Sequence, residues 1–323
     1  MIILNKKHRF SFVFILLVCA ILLIAAKNFT PSYHTKTIMG SLDTVSEITV
    51  LSRTSSPIKK AEKYLDLMDS ELSSYNEDST LYRYNSGSAV TFSKDAKELI
   101  DKADELSKKH SEYFSVYLEP LIKGWDIKNN TGTIPEVDAL LKKSNEQKAI
   151  ELGGIAKGYV TYKLAEMLKK DGVTSAMINL GGNTYAIGKK NTQENWKVGI
   201  ANPKNPEEII GIISCEDMAV ITSGDYQRYF EKDGKIYHHI LDPKTGYPAN
   251  SGLRSVSIIS KSATIADFLS TAIFVAGIEE GKKLLSEYDA MGIFITDDTV
   301  YFSKSLENIF KQTDFSYKYK FIY

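Results

Sequence analysis

Cysteine is almost missing from this chain: 323 residues include only Cys19 and Cys215. Cys19 sits in an apolar run near the N-terminus, so everything after it carries one thiol. That excludes an internal disulfide and any cysteine cluster for zinc or iron–sulfur, and leaves stability to packing. Cys215 reads as a small apolar residue on a strand. A net charge is missing as well, with 40 lysines and arginines against 40 aspartates and glutamates. The tyrosines are scattered rather than interleaved with a basic stripe, so nothing argues for a nucleic-acid partner. There is no internal repeat and no low-complexity tract, so partners must be sought in local sites.

One long apolar run is present. Lys6, Lys7, His8 and Arg9 precede Phe10 to Ala26, which only Ser11 interrupts. About 17–25 apolar residues span a bilayer, so the run is a signal-peptide core or a short membrane anchor. The basic flank stays in the cytoplasm, which puts the chain after Lys27 on the extracytoplasmic side of the cell membrane. Lipidation of Cys19 is the alternative. Against it, Val18 stands where a small residue is wanted and Ile21 to Ala26 prolong the run as an uncleaved anchor would; cleavage after Ala25 or Ala26 stays open. The expected organisation is an anchor or signal over 1–27, a tether over 28–36 and one domain over 37–323.

The spacing of apolar residues predicts a strand over 38–51 and a helix over 56–72 capped at Ser55/Ser56 with Pro57. A second helix follows over 93–110 behind Ser93, then a loop over 129–135 and a helix from 154–157 to Lys170, stopped at Asp171-Gly172. Short strands are expected at 175–180, 184–188, 196–201, 209–214, 219–222 and 253–260. Helices over 264–275 and 279–287 and a hairpin near 293–302 complete the reading. The class is α+β, mixed sheets flanked by helices.

Three clusters carry chemistry. The first is ELGGIAKGY (Glu151 to Tyr159) with INLGGNTYAIG (Ile178 to Gly188). Glycine pairs admit a ligand close to the backbone, and a helix starting after Gly153-Gly154 aims N–H groups at phosphate. The same glycines also serve as tight connections. Neither string has the spacing of a dinucleotide fingerprint or a P-loop. The second is VITSGDYQRYF (Val220 to Phe230) with YHHILDPKTGYP (Tyr237 to Pro248), where Asp242 to Gly246 is a turn by composition. His239, beside it, titrates near neutral pH and suits a general base, although a lone histidine also serves structure. The third is TIADFLSTAIF (Thr264 to Phe274). Asp267 and Thr271, four apart, share a helix face with Ser270 alongside. Such oxygens suit Mg2+, which binds through one or two protein oxygens plus phosphate and water. An Asp near a helix start equally serves as a cap, and spacing leaves the two readings level.

In this order the clusters resemble the bacterial ApbE family, the FAD:protein FMN transferases, over Thr37 to about Gly277. The likeness includes Met39-Gly40-Ser41 where the family usually has Met-Gly-Thr, LSSYNEDSTLYRYN around Tyr75, FSVYLEPL from Phe114, ELGGIAKGY, INLGGN, TSGDYQRY, HILDPKTGYP and ADFLST. The resemblance implies an ApbE-like, T-fold-related domain, FAD as donor and Mg2+ as cofactor. It also implies FMN transfer to a Thr or Ser hydroxyl of an acceptor flavoprotein with release of AMP. By motif, Met39, Tyr75, Tyr113, Phe114 and Ser115 would meet the flavin or its ribityl chain. Glu151, Lys157 and Leu241 would line the rest of the FAD site, and Gly154, through its carbonyl, would join Asp267 and Thr271 at the metal. Glu151 replaces an Asp, and Ser270, a further ligand candidate, stands where some members carry a second carboxylate. His239 or Asp242 would orient or deprotonate the acceptor hydroxyl. The rivals are an FAD pyrophosphatase and a non-catalytic surface flavin carrier, and a metal at the diphosphate speaks against the carrier.

Overall fold

The computed structural model describes residues 30–322. Its centre is a nine-stranded sheet. With strands numbered along the chain, the order is β1 (Ser32–Met39), β2 (Val45–Ser52), β3 (Ala176–Leu180), β4 (Asn183–Ile187), β7 (Met218–Gly224), β10 (Ser255–Ser260), β11 (Met291–Ile295), β12 (Thr299–Phe302) and β14 (Lys318–Phe321). Every neighbouring pair is antiparallel except β12 with β14.

Both faces are covered, and the period of two in a strand explains why the central strands are buried along almost their whole length. Ala219, Ile221, Val256, Ile258 and Phe294 join the core under the helices. Their neighbours Val220, Ile259, Ile293 and Ile295 join a second core on the opposite face. That second core is closed by a small sheet of β13 (Phe310–Gln312), β6 (Asn205–Cys215) and β5 (Trp196–Asn202). Cys215 is buried there as a free thiol, as its surroundings in the sequence suggest.

The helical layer holds α1 (Ser56–Leu72), α2 (Thr80–Asn85), α3 (Lys94–Lys109), α6 (Ala156–Lys170), α7 (Ala263–Ala276) and α8 (Ile278–Glu287). Ser93 caps α3 by accepting from the Ala96 N–H at 3.2 Å. A third, smaller core joins α4 (Glu119–Trp125) and α5 (Val137–Gln147) to the hairpin β8 (Tyr229–Lys232) and β9 (Lys235–His238) through Trp125, Val137 and Phe230.

Helix α7 is buried along almost its whole length and packs on α6, β7 and β10. The close approach of α6 depends on Gly158. A Cβ there would overlap the Ala263 carbonyl oxygen and the Asp267 Cβ. Gly158→Ala is therefore expected to destabilise the fold by about 1–3 kcal/mol through overpacking, despite alanine's better helix propensity. Urea denaturation checks this; an unchanged or raised midpoint contradicts it.

Two expectations are corrected. The strand expected over 38–51 is two strands, broken where Gly40 takes φ +88° and a short 3-10 turn follows. The tether expected over 28–36 is shorter, because Ser32 already pairs with Ser52. Tyr33 packs edge-on against Trp196 with ring centroids 5.9 Å apart, which fastens the strand that a polar sequence had suggested was loose. The anchor or signal over 1–27 lies outside the described residues. Among the described residues no helix is long and apolar enough to cross a membrane.

Candidate functional site

At the sheet end where β3 turns into β4 and β7 finishes, a cleft of about 580 Å³ opens between the sheet, the start of α6 and the smaller core. It gathers the chemistry-bearing motifs: Tyr75, Tyr113 to Ser115, Glu151 to Gly154, Lys157, Gly181, Asn183, His239, Leu241, Asp267 and Thr271 all line it.

One end is built for a polyanion. The first turn of α6 points into the cleft with Ala156 and Lys157 at its wall, so its positive dipole end and the Lys157 side chain face the opening, although the Ala156 N–H is spent on the Leu152 carbonyl at 2.8 Å. Asp267, only 3% exposed, accepts the Gly158 N–H on Oδ2 at 2.7 Å. The capping alternative thus holds in an unexpected form: Asp267 caps the neighbouring helix, while its own helix is capped by Ser262, whose hydroxyl accepts from Ile265. Burial pushes the Asp267 carboxyl above the ordinary carboxylate range, and Lys157 and the Gly158 N–H pull it back. A buried carboxylate facing a polar cleft favours a cation. Thr271 lies one turn on, and a Cβ on Gly154 would come within 3.4 Å of its Oγ1, so Gly154, Thr271 and Asp267 share one corner. Among the described residues no group of three or more His, Cys, Asp or Glu could hold a metal. The donor set is one carboxylate, a hydroxyl and main chain, which suits an ion that keeps waters and takes phosphate oxygens, as Mg2+ does.

Asn183 was not singled out from the sequence, although it closes INLGGN. It is 2% exposed and lines the cleft; its Nδ2 makes no hydrogen bond of good geometry within the protein, although it lies near enough to the Asp267 carboxylate to favour its charged form. A buried amide whose two N–H groups are not fully used is costly, and a ligand in the cleft could complete its bonding. Asn183→Ala is expected to weaken FAD binding about tenfold while lowering stability by no more than about 1 kcal/mol, the worth of one weak contact to Asp267. Equilibrium titration of flavin fluorescence checks this, and unchanged affinity contradicts it.

The other end is aromatic. Lys128 lies 4.6 Å over the Tyr75 ring, and Phe114 stands edge-on to Phe268 at 4.9 Å. Burial, then the neighbouring Glu151, raises the Tyr75 phenol, which stays protonated at physiological pH. Glu151 accepts from the Gly153 N–H at 2.9 Å, and burial raises its carboxyl. Ser115 accepts from the Tyr117 N–H at 3.1 Å, and Leu241 is buried in the wall. Over the mouth, Leu42 and Asp43 hold positive φ, clamped by the Leu42 N–H to Asp69, by Lys128 to Asp43 at 2.6 Å and by Arg228 to the Asp43 carbonyl at 2.9 Å. Arg228 and Lys128 are cleft cations that spacing alone did not mark.

His239 is in the wall between these ends. Its Nδ1 lies 3.3 Å from the Arg228 carbonyl oxygen, which can only accept, so Nδ1 carries the hydrogen and Nε2 is left as an acceptor. The expected titration near neutrality is corrected: burial first, then the Lys157 and Arg228 cations, push its pKa down to about 3.

Three proposed site residues stand elsewhere. Met39 is 72% exposed at the end of β1 and does not line the cleft. The Asp242 carboxylate accepts from the Lys244 N–H at 2.8 Å, closes its own turn and does not line the cleft. Ser270 is fully buried behind the wall, donating to the Asp267 carbonyl and bonded to Ser223, both at 2.8 Å.

The ApbE family model matches residues 42–295. A FAD:protein FMN transferase of Klebsiella pneumoniae is 34% identical over 64% of this chain and 71% of its own length. One of Treponema pallidum is 33% identical over 69% and 73%. The crystal structure of the ApbE protein from Thermotoga maritima superposes with a TM-score of 0.74 at 27% identity, covering 88% of this chain and all of that one. Sequence and fold agree: the chain belongs to the ApbE family.

Proposed function

We propose that this enzyme, a transferase, moves FMN from FAD to a Thr or Ser hydroxyl of an acceptor protein and releases AMP, with Mg2+ as cofactor. The observation that carries this is one corner of the cleft, where the α6 N-terminus, Lys157, Asp267, Thr271 and the buried Asn183 amide converge. A bound polyanion and cation together would satisfy such a set.

In the proposed step the acceptor hydroxyl oxygen attacks the flavin-side phosphorus. A P–O bond to the acceptor forms as the bond from that phosphorus to the bridging oxygen breaks, and AMP leaves with the bridging oxygen. The hydroxyl proton passes to Nε2 of His239. Lys157 and the positive end of the α6 dipole hold the diphosphate, and Tyr75, Tyr113, Phe114 and Leu241 enclose the flavin portion. Asp267, Thr271 and the Gly154 carbonyl would hold Mg2+, which offsets charge on the diphosphate when bound. The N-terminal run would keep this chemistry at the cell membrane, on the extracytoplasmic side.

Incubating the enzyme with FAD, with and without Mg2+, and separating the products by chromatography tests the proposal. Mg2+-dependent AMP release in the presence of acceptor is expected. FAD that binds and stays intact under all conditions contradicts it.

A further inference from the structure

The main cleft accounts for FAD but not for the path of the acceptor. On the opposite face of the nine-stranded sheet is a second cavity of about 270 Å³, walled by Glu47, Met177, Asn179, Thr184, Lys197 and Gly199. The two cavities share Thr222 and lie on either side of one turn: Gly181 lines the first and Gly182 the second. Thr44 fills the space beside Gly181, where a Cβ would overlap its Oγ1, so the open side of the turn is at Gly182. Gly182 takes φ +93° with open space where a Cβ would sit, and Asn179 pins the turn by accepting its N–H at 2.8 Å.

Strand β5 joins the two cavities. It pairs with β6 on one side only, and among the described residues no strand covers its other edge. Lys197 to Gly199 of β5 wall the second cavity, and the hairpin that continues from β5 reaches the mouth of the first with Pro206. The strand therefore runs from one cavity towards the other with unpaired main-chain groups on offer. An unpaired edge beside a side-chain-sized cavity is the arrangement by which a sheet captures an extended peptide, with main-chain bonds for affinity and the cavity for selection.

We infer that the open edge of β5 and the Glu47–Lys197 cavity bind an extended segment of the acceptor protein, and that its hydroxyl residue crosses the Gly181–Gly182 turn into the FAD cleft. This rests on the transferase reading. At about 3.3 Å per extended residue, a few residues beyond the cavity carry the hydroxyl over the turn. Flavin and acceptor thus enter from opposite faces of the sheet and meet at its end.

The test uses the full-length enzyme and short peptides carrying a single threonine that the unaltered enzyme flavinylates. Glu47→Trp, on an exposed strand position that tolerates an indole, fills the cavity. It is expected to raise the KM for peptide at least about tenfold while the KM for FAD and its cleavage by water stay unchanged. Peptides methylated on alternate main-chain nitrogens should separate into one set that is still flavinylated and one that is not, because a strand presents alternate N–H groups to its partner. A peptide KM unaffected by Glu47→Trp, or equal reaction of both methylated sets, overturns this inference alone. FAD cleavage with no peptide flavinylated by the unaltered enzyme overturns the transferase reading and this inference with it.

Discussion

Asp267→Asn is expected to lower kcat/KM for FAD cleavage on the order of 10³-fold. Asparagine keeps an oxygen for the Gly158 N–H, so the trans cap between α7 and α6 and the packing around Gly158 survive. What disappears is the one carboxylate charge in the corner with Thr271 and Gly154. Losing a preorganised electrostatic group from a buried site costs about 10²–10³ in rate, and losing the charge that retains a cation lies at the upper end. Steady-state kinetics over a range of Mg2+ concentration check this, with the urea midpoint as control. A loss rescued in full by more Mg2+ means Asp267 tunes affinity alone. An unaffected rate means the metal is held elsewhere.

The second large effect is at His239. His239→Gln is expected to reduce transfer about 10²–10⁴-fold with FAD affinity unchanged, because the ring acts on the acceptor proton. The pH dependence follows from its depressed pKa. The free enzyme keeps the ring neutral down to about 3, so kcat/KM for FAD has no acid limb from His239 between about pH 5 and 8. A bound diphosphate places negative charge beside Lys157 and Arg228, favours the imidazolium and raises the pKa, so the acid limb of kcat moves towards neutrality. In stability the sign is that of a depressed base. The unfolded chain, near 6.5, takes up the proton first, so stability is lost as pH falls from about 6.5 towards 3. Paired profiles of kcat and kcat/KM check the ring's role, and an acid limb of kcat that persists in His239→Gln contradicts it.

The sequence made the helices around the site legible because each carries its own punctuation: Pro57 at the start of α1, Ser93 as the cap of α3, and Asp171-Gly172 at the end of α6. The clustering of Glu151, Lys157, His239, Asp267 and Thr271 was legible through motif order. Placement within the cleft was not. Asp242 and His239 are near in sequence, yet the turn that begins at Asp242 folds that carboxylate onto Lys244. Ser270 and Thr271 are adjacent, yet a helix rotates about 100° per residue and sends one hydroxyl behind the wall. Asn183 was hidden because its significance lies in its burial in the cleft wall beside Asp267, which no spacing reveals. β8, β9, α4 and α5 are short, and tertiary contacts around Trp125 decide them. The Trp125 indole N–H reaches the Gly246 carbonyl at 2.8 Å, a contact across 121 positions of chain.

The central claim is that FMN becomes covalently attached to an acceptor hydroxyl by way of this cleft. Tandem mass spectrometry of an acceptor incubated with FAD, Mg2+ and either the unaltered enzyme or Asp267→Asn tests it most directly. The account predicts an FMN-sized addition on a single Thr or Ser with the unaltered enzyme, one AMP released per addition, and no addition with the variant. Metal-dependent AMP and free FMN in equal amounts, with every acceptor unlabelled, would contradict it.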